Sequence, residues 1–376
     1  MLSLIFKDFF NGEKSGGFIL IICTVFSLLL ANSVFGMAYQ NFWHTTLFSK
    51  PIEFWINDAL MSIFFLLIGL EIEREIYIGE LSDLKNALLP ISAAIGGMFV
   101  PALIYFLFNQ GTKFQSGIAI PTATDIAFSL GILSLFGSRI PNSLKIFLTA
   151  LAIVDDLGAI IIIALFYAKD FSISYFGISM ILLGLLVSLN RFKIKFLPIY
   201  LSLGIMLWFC FLKSGIHPTI AGVLLAFTIP FDRNNDNSPS NRLEHAINKP
   251  VAYFILPLFA LANTCILIPT DWLSGLCSSN SLGIVFGLVM GKPIGIVLFS
   301  FISVTLGFCA LPLGIKLRQF VGVAMLAGIG FTMSIFITLL AFSDTEIIIQ
   351  SKIAILIASL ISVIGSIFLL APRNQL

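Results

Sequence analysis

The feature that most constrains this chain is a pair of adjacent aspartates, Asp155 and Asp156, inside a run from Ile146 to Tyr167 that is otherwise apolar but for Thr149. At 1.5 Å of rise per residue, a helix over that run is long enough to span a bilayer. An aspartate at the centre of a spanning helix costs roughly 2.5–3.5 kcal/mol on insertion scales, so two in succession imply use. Neighbouring residues on a helix project about 100° apart, so the pair cannot share one face. One is expected to look toward a cavity and the other toward a packed neighbour.

Composition agrees that the surroundings are a membrane. Hydrophobic residues make up 58% of the 376 positions and charged residues 11%, with 38 phenylalanines, more apolar surface than one soluble core buries. The expected fold class is an all-α polytopic membrane protein, with 1–376 a single integral membrane domain. Hydropathy gives about twelve spans, near 17–32, 55–71, 87–108, 117–136, 145–168, 173–190, 195–212, 215–230, 251–268, 282–308, 318–342 and 350–371. The first follows Lys7 and Lys14, has no small-residue cleavage site behind it, and is read as a retained helix. Two connections are long. Residues 32–54, with Trp43 and His44, read as a hairpin, and the Asn-, Asp-, Ser- and Pro-rich stretch 231–250 as a loop. Placing both termini on one side gives that side fifteen lysines and arginines and the other five, with Lys292 left inside a span. The positive-inside rule then makes both termini and 231–250 cytoplasmic, and 32–54 an outer hairpin. The five cysteines show no ligand or CxxC spacing and read as small core residues.

The deep charges are Asp125, Asp155, Asp156 and Lys292, with Asp58 nearer the outer end of its span. Pairing offsets desolvation, so these groups should find one another. A purely structural ion pair is the plain reading, but one lysine pairs closely with one carboxylate, which leaves acids to hold a cation or a proton. The backbone is equally uneven. The fourth span carries Pro121, Thr122 and Thr124 before Asp125, and the eleventh carries Gly328, Gly330, Thr332 and Ser334. Either interruption alone reads as packing. Together they occupy the middle helices of two triplets, spans 3–5 and 10–12, that run in opposite senses. Paired interrupted helices in such inverted repeats point to a secondary transporter with its ion site at midplane. Asp125 is placed to compensate N-terminal helix dipoles there and Lys292 C-terminal ones.

The runs 123–128 (ATDIAF), 152–159 (AIVDDLGA), Gly291-Lys292-Pro293, 328–337 (GIGFTMSIFI), 64–75 (FFLLIGLEIERE) and 214–222 (SGIHPTIAG) resemble the NhaA-type sodium/proton antiporters of bacterial inner membranes. The resemblance is collinear from about residue 15 to 370. It implies twelve helices, the fourth and eleventh unwound and crossing at midplane, and electrogenic exchange of Na+ or Li+ outward for more than one proton inward. It implies that Asp156 and Asp155 hold Na+ and protons, that Asp155 partners Lys292, and that Thr124 and Asp125 shape the site. It further implies a homodimer through the outer hairpin and pH regulation involving Glu71, Glu75, His217 and Glu244; His245 joins the same cytoplasmic charge cluster by its place beside Glu244. Two departures bear on the activation pH: Glu73 stands where the family often has a basic residue, and Asn248 where a second histidine is often found. For His217 a hydrogen-bonded packing role, and for the glutamates a solvated helix end, remain the plain alternatives.

The chemistry leads the same way. Burial disfavours the charged form of a carboxyl or an amine and an opposite charge restores it, so such groups exchange protons near neutrality. Hard cations take oxygen ligands, which carboxylates, a threonine hydroxyl and free carbonyls supply. Proton and cation then compete for one site. Lys292 is open to two readings, a proton carrier or a structural prop. A sodium-coupled organic-solute symporter of similar fold is the alternative function, although mostly Ile, Leu and Phe spans offer it little polar cavity. An intramembrane aspartyl protease fits less well, because a deep lysine spoils a shared-proton dyad and Gly-x-Gly-Asp is absent. No phosphate loop, zinc spacing or nucleic-acid patch is visible, so no cofactor, enzyme activity or nucleic acid is expected.

Overall fold

A computed structural model describes residues 14–137, 140–167, 171–233, 235, 237–311 and 315–371. Lys7, Arg139, Lys169 and Arg373, which enter the charge count, lie outside the described residues. Helices dominate, and the one sheet among the described residues is a two-residue ladder, Thr46–Leu47 with Lys50–Pro51. Its turn residues Phe48 and Ser49 have φ of 49° and 67°, the left-handed geometry of a two-residue hairpin. That ladder and the helix Gly36–His44 lie within the stretch 32–54.

Among the described residues nine helices are long and apolar enough to cross a membrane, and eleven when each of two bent pairs counts as one span. The bent pairs are Ser15–Ala31 with Gly36–His44, at 113°, and Leu317–Ala327 with Phe331–Ala341, at 40°. Two sequence expectations meet a different backbone. Segment 215–230 carries only the seven-residue helix Ile220–Ala226. Gly215, at φ 85°, stops the preceding helix Leu197–Ser214, and Pro218 and Pro230 bracket the rest. The polar stretch 231–250 is a connection only as far as Ser238, whose hydroxyl accepts the Asn241 amide as an N-cap with Pro239 at N1. From there a helix runs through a π-turn at Val251–Ile255 to Asn263.

The contacts divide the chain into two units. One consists of Met1–Ser33, Asp83–Ala159 and Ile266–Leu376. Its helices approach at glycines, as membrane helices do where small residues let backbones close up. The helix Leu84–Asn109 lies against Ser279–Thr305 at Gly96 and Gly295, where a Cβ on either glycine would meet the other's carbonyl oxygen. Gly17 and Gly131 do the same for Lys14–Ala31 and Ile126–Leu135, with 3.0 Å from a Cβ on one to the Cα of the other. The second unit, Val34–Ser82 with Ile160–Cys265, has its own core of Leu66, Leu70, Leu186, Tyr200, Leu207, Phe211 and Leu225. There the helix Ile52–Tyr77 meets Ile220–Ala226 at Gly69 and Gly222.

The glycine contacts give a signed expectation. Alanine in place of glycine gains up to about 1 kcal/mol of helix propensity, whereas overpacking costs about 1–3 kcal/mol. Gly184, within Ile173–Arg191, has open space around it, so Gly184→Ala should be neutral or stabilising, while Gly295→Ala should lower the thermal unfolding midpoint of the detergent-purified protein. The reverse order in a melting experiment would contradict the close approach at Gly96 and Gly295.

Candidate ion-binding site

Pro121 cannot donate a backbone hydrogen bond and disfavours helix at the residue before it. The chain responds with a 3-10 stretch, Gln115–Thr122, and then three non-helical residues before Ile126–Leu135. In the partner segment, residues 328–330 interrupt Leu317–Ala327 and Phe331–Ala341. Gly328 is required by space, since a Cβ there would crowd the Leu288 carbonyl, and at Gly330 one would collide with the Ser334 hydroxyl. Pro121 itself packs against Gly287.

The two breaks lie against each other, and Asp125 ties them. Its amide donates to the Ile329 carbonyl at 2.7 Å. Its Oδ1 accepts the Phe128 amide at 2.9 Å, capping Ile126–Leu135. Its Oδ2 accepts the amide and hydroxyl of Thr332, at 3.0 and 2.5 Å, in the first turn of Phe331–Ala341. One carboxylate thus sits at two helix N-termini, each carrying roughly half a positive charge.

Asp155, on Asn142–Phe166, answers from the other side. Its Oδ2 accepts Lys292 Nζ at 2.5 Å and lies 2.6 Å from the Thr124 hydroxyl. Lys292 Nζ also donates to the Thr122 carbonyl, at the C-terminal end of the 3-10 stretch. The Thr124 hydroxyl has a second acceptor in reach, the Ala327 carbonyl at 2.9 Å, and its one proton serves one acceptor at a time. Asp125, Asp155, Asp156 and Lys292 are all buried. Asp155 Oδ1 has no hydrogen-bond partner among the described residues, and Asp156 is close enough to act electrostatically on Lys292. Carboxylate, hydroxyl and helix-end carbonyl oxygens are therefore gathered in one place, the donor set that a hard monovalent cation uses.

The other expected residues sit in the second unit. Arg74 Nη1 bonds Glu244 Oε1 at 2.7 Å and its Nη2 lies 3.4 Å from Glu75, which joins the end of Ile52–Tyr77 to Pro239–Pro250. Glu71 is partly buried on the same helix as Glu75, and His245 is exposed beside Glu244. His217 faces Asp58 at 3.4 Å through Nε2 and Thr219 at 2.8 Å through Nδ1. The sequence marks Thr332 and Ser334 only as part of the interruption, not as bonding groups, and does not single out Ser129, or Ser240, which donates to Glu73 at 2.8 Å. Their polarity inside or beside apolar runs was the available signal. The carbonyls of Thr122 and Ala327 had none, because backbone oxygens become ligands only where a helix stops.

The family described as Na+/H+ antiporter 1 matches residues 7–370. The Na(+)/H(+) antiporter NhaA of Dechloromonas aromatica is 58% identical over 362 residues, 95% of this chain and 93% of its own length. That of Cytophaga hutchinsonii is 56% identical over 354 residues, 94% and 92% of the two chains. Na(+)/H(+) antiporter NhaA 1 of Flavobacterium johnsoniae is 56% identical over 369 residues, 98% and 97%. With a family match across almost the whole length and relatives more than half identical end to end, the chain belongs to the Na+/H+ antiporter 1 family.

Proposed function

We propose that Na+ and protons compete in this antiporter for the carboxylates of Asp155 and Asp156, and that the exchange is electrogenic, with more than one proton entering for each Na+ or Li+ expelled. Na+/H+ exchange makes the protein a secondary transporter, driven by ion gradients, and not an enzyme. The observation that carries the site reading is the buried Asp155–Lys292 pair held with Thr124 at the facing helix breaks, beside Asp156. As pH rises the carboxyls give up protons and their oxygens become available to Na+. When Na+ leaves on the far side, protons return. Asp156 is the direct Na+ ligand in this reading, with Asp155, Thr124 and the Ala327 carbonyl completing the shell. Lys292 then keeps the Thr122 carbonyl as an acceptor whether or not Asp155 is occupied by the cation.

The inverted repeat belongs to the same proposal. The first helices of the two triplets meet at Gly96 and Gly295, and the middle ones meet at their breaks, each with the next half-helix starting from a cap at Asp125 or Gly330. Counting 215–230 as a crossing with a short helix gives twelve spans, with helices four and eleven crossing where they unwind. The location is a bacterial inner membrane with both termini cytoplasmic. A homodimer contact through 32–54 is supported by Val34, Phe35, Met37 and Phe48, all exposed. Regulation by pH is assigned to Glu75 and Glu244, which meet Arg74, with Glu71 on the same helix as Glu75 and His245 next to Glu244, and to His217 facing Asp58.

In everted vesicles carrying a preformed proton gradient, Na+ and Li+ should dissipate the gradient with wild type, increasingly from about pH 6 to 9. Asp155→Asn and Asp156→Asn should be silent at normal membrane levels. A silent wild type, or full activity in both variants, would sink the competition mechanism. Stability separates the ion pair from the transport chemistry. Removing one partner of a buried pair costs about 3–5 kcal/mol, and neutralising both is far milder. Lys292→Gln should therefore melt well below wild type, and Lys292→Gln with Asp155→Asn should recover most of that loss without recovering transport. A double variant no more stable than the single would show that the pair does not hold this site together.

A further inference from the structure

Outside the charged groups, the facing breaks are joined by two serines in equivalent places. Ser129 is the fourth residue after the cap Asp125, and Ser334 the fourth after the cap Gly330. Both are fully buried. Ser129 Oγ donates to the Leu326 carbonyl at 2.8 Å, and Ser334 Oγ to the Ile120 carbonyl at 2.7 Å. Each second half-helix therefore reaches across and holds the last turn of the other segment's first half. A serine inside a helix commonly bonds its own preceding turn, as Ser188 does to Gly184. Ser334 instead supplies a donor to the Ile120 carbonyl at the end of the 3-10 stretch, and Ser129 adds a donor from the other segment to the Leu326 carbonyl, which also accepts the Ile329 amide at 3.0 Å.

We propose that Ser129 and Ser334 are positioning residues for ion binding, a reciprocal pair of staples that fix the helix-end carbonyls facing Asp155. Leu326 directly precedes Ala327, whose carbonyl lies in reach of the Thr124 hydroxyl. Ile120 lies two residues before Thr122, whose carbonyl accepts Lys292. The Ser129 staple thus steadies the Thr124 side of Asp155, and the Ser334 staple steadies the lysine side. Without the Ser334 staple the Ile120 carbonyl loses its donor, and without the Ser129 staple the Leu326 carbonyl keeps only the Ile329 amide of its own segment, so the tie between the two segments is lost and the terminal turn is free to shift. The oxygens at the cation site then lose their spacing while the carboxylates that carry the chemistry remain.

This inference rests on the antiport reading, and wild-type exchange under the same conditions tests that reading separately. The experiment measures Na+-dependent gradient dissipation and thermal unfolding for Ser129→Ala, Ser334→Ala and the double variant. The expected result is an apparent KM for Na+ raised roughly three- to ten-fold in each single variant, the upper figure matching one hydrogen bond of about 1.4 kcal/mol. The rate at saturating Na+ should stay within about two-fold of wild type. The double variant should depart from the product of the single effects, because both staples hold one pair of breaks. Lower stability or a lower maximal rate with an unchanged KM in both single variants would overturn the proposal. Should an alanine variant fail to fold, the corresponding cysteine variant decides: it keeps the side-chain shape, with a somewhat larger sulfur and a weaker donor, so a raised KM supports the staple and a wild-type KM overturns it.

Discussion

Everything at the centre of this protein follows from interrupting two helices inside a membrane. A helix that stops in hydrocarbon leaves amide and carbonyl groups that water cannot reach, each costing several kcal/mol if nothing meets it. Here the groups described at the two breaks are met from the other broken segment, from their own segment, or from Lys292 on a neighbouring helix. Asp125 takes amides and a hydroxyl from both N-terminal ends, Lys292 and Thr124 face the C-terminal carbonyls of Thr122 and Ala327, and Ser129 and Ser334 cover the turns behind them. Breaking either helix alone would lose the bonds that cross between them, Asp125 to Ile329 and Thr332 and Ser334 to Ile120, so the two interruptions support each other.

That dependence explains why charges are tolerated so deep. A buried ion pair is weak evidence for stability, since desolvation of both partners can exceed their attraction. The Asp155–Lys292 pair is embedded in further hydrogen bonds, which is the condition under which such a pair holds. Its use is positional as well: it keeps an ammonium and a carboxylate where the helix-end carbonyls are. The close glycine contacts at Gly96 and Gly295 serve the same end, bringing the helix that carries Lys292 against its neighbour.

Much of this was legible in the sequence because charge inside an apolar run is a loud signal. The Asp155–Asp156 pair, Asp125 and Lys292 stand out by solvation cost alone, and Pro121, Gly328 and Gly330 mark where a helix must yield. Less was legible where the determinant was backbone. The turn at Gly215 that shortens 215–230 to one seven-residue helix is invisible to hydropathy, which averages over it. The helix from Pro239 was hidden because polar residues on a helix read as a loop until the cap at Ser238 is taken into account. The carbonyls of Thr122 and Ala327 could not be singled out, since every residue has one and only the contact between the two breaks selects them.

The charge inventory bears on electrogenicity. Two half-helix N-termini supply about one positive charge, which Asp125 offsets. Two C-termini supply about one negative charge, which Lys292 offsets, its ammonium resting on the Thr122 carbonyl. Asp155 and Asp156 then remain as two negative charges in excess when both are ionised. Two protons bring such a site to neutrality, whereas one Na+ leaves it one charge short. In the proposed cycle the proton-loaded and sodium-loaded forms therefore differ in net charge, and a potential across the membrane acts on that difference at about 2.3 kcal/mol per charge per 100 mV. A site with one carboxylate fewer would carry either ion at equal charge and gain nothing from the potential. In the proposed cycle the second aspartate, costly as it is in a spanning helix, is therefore the group that couples the exchange to voltage.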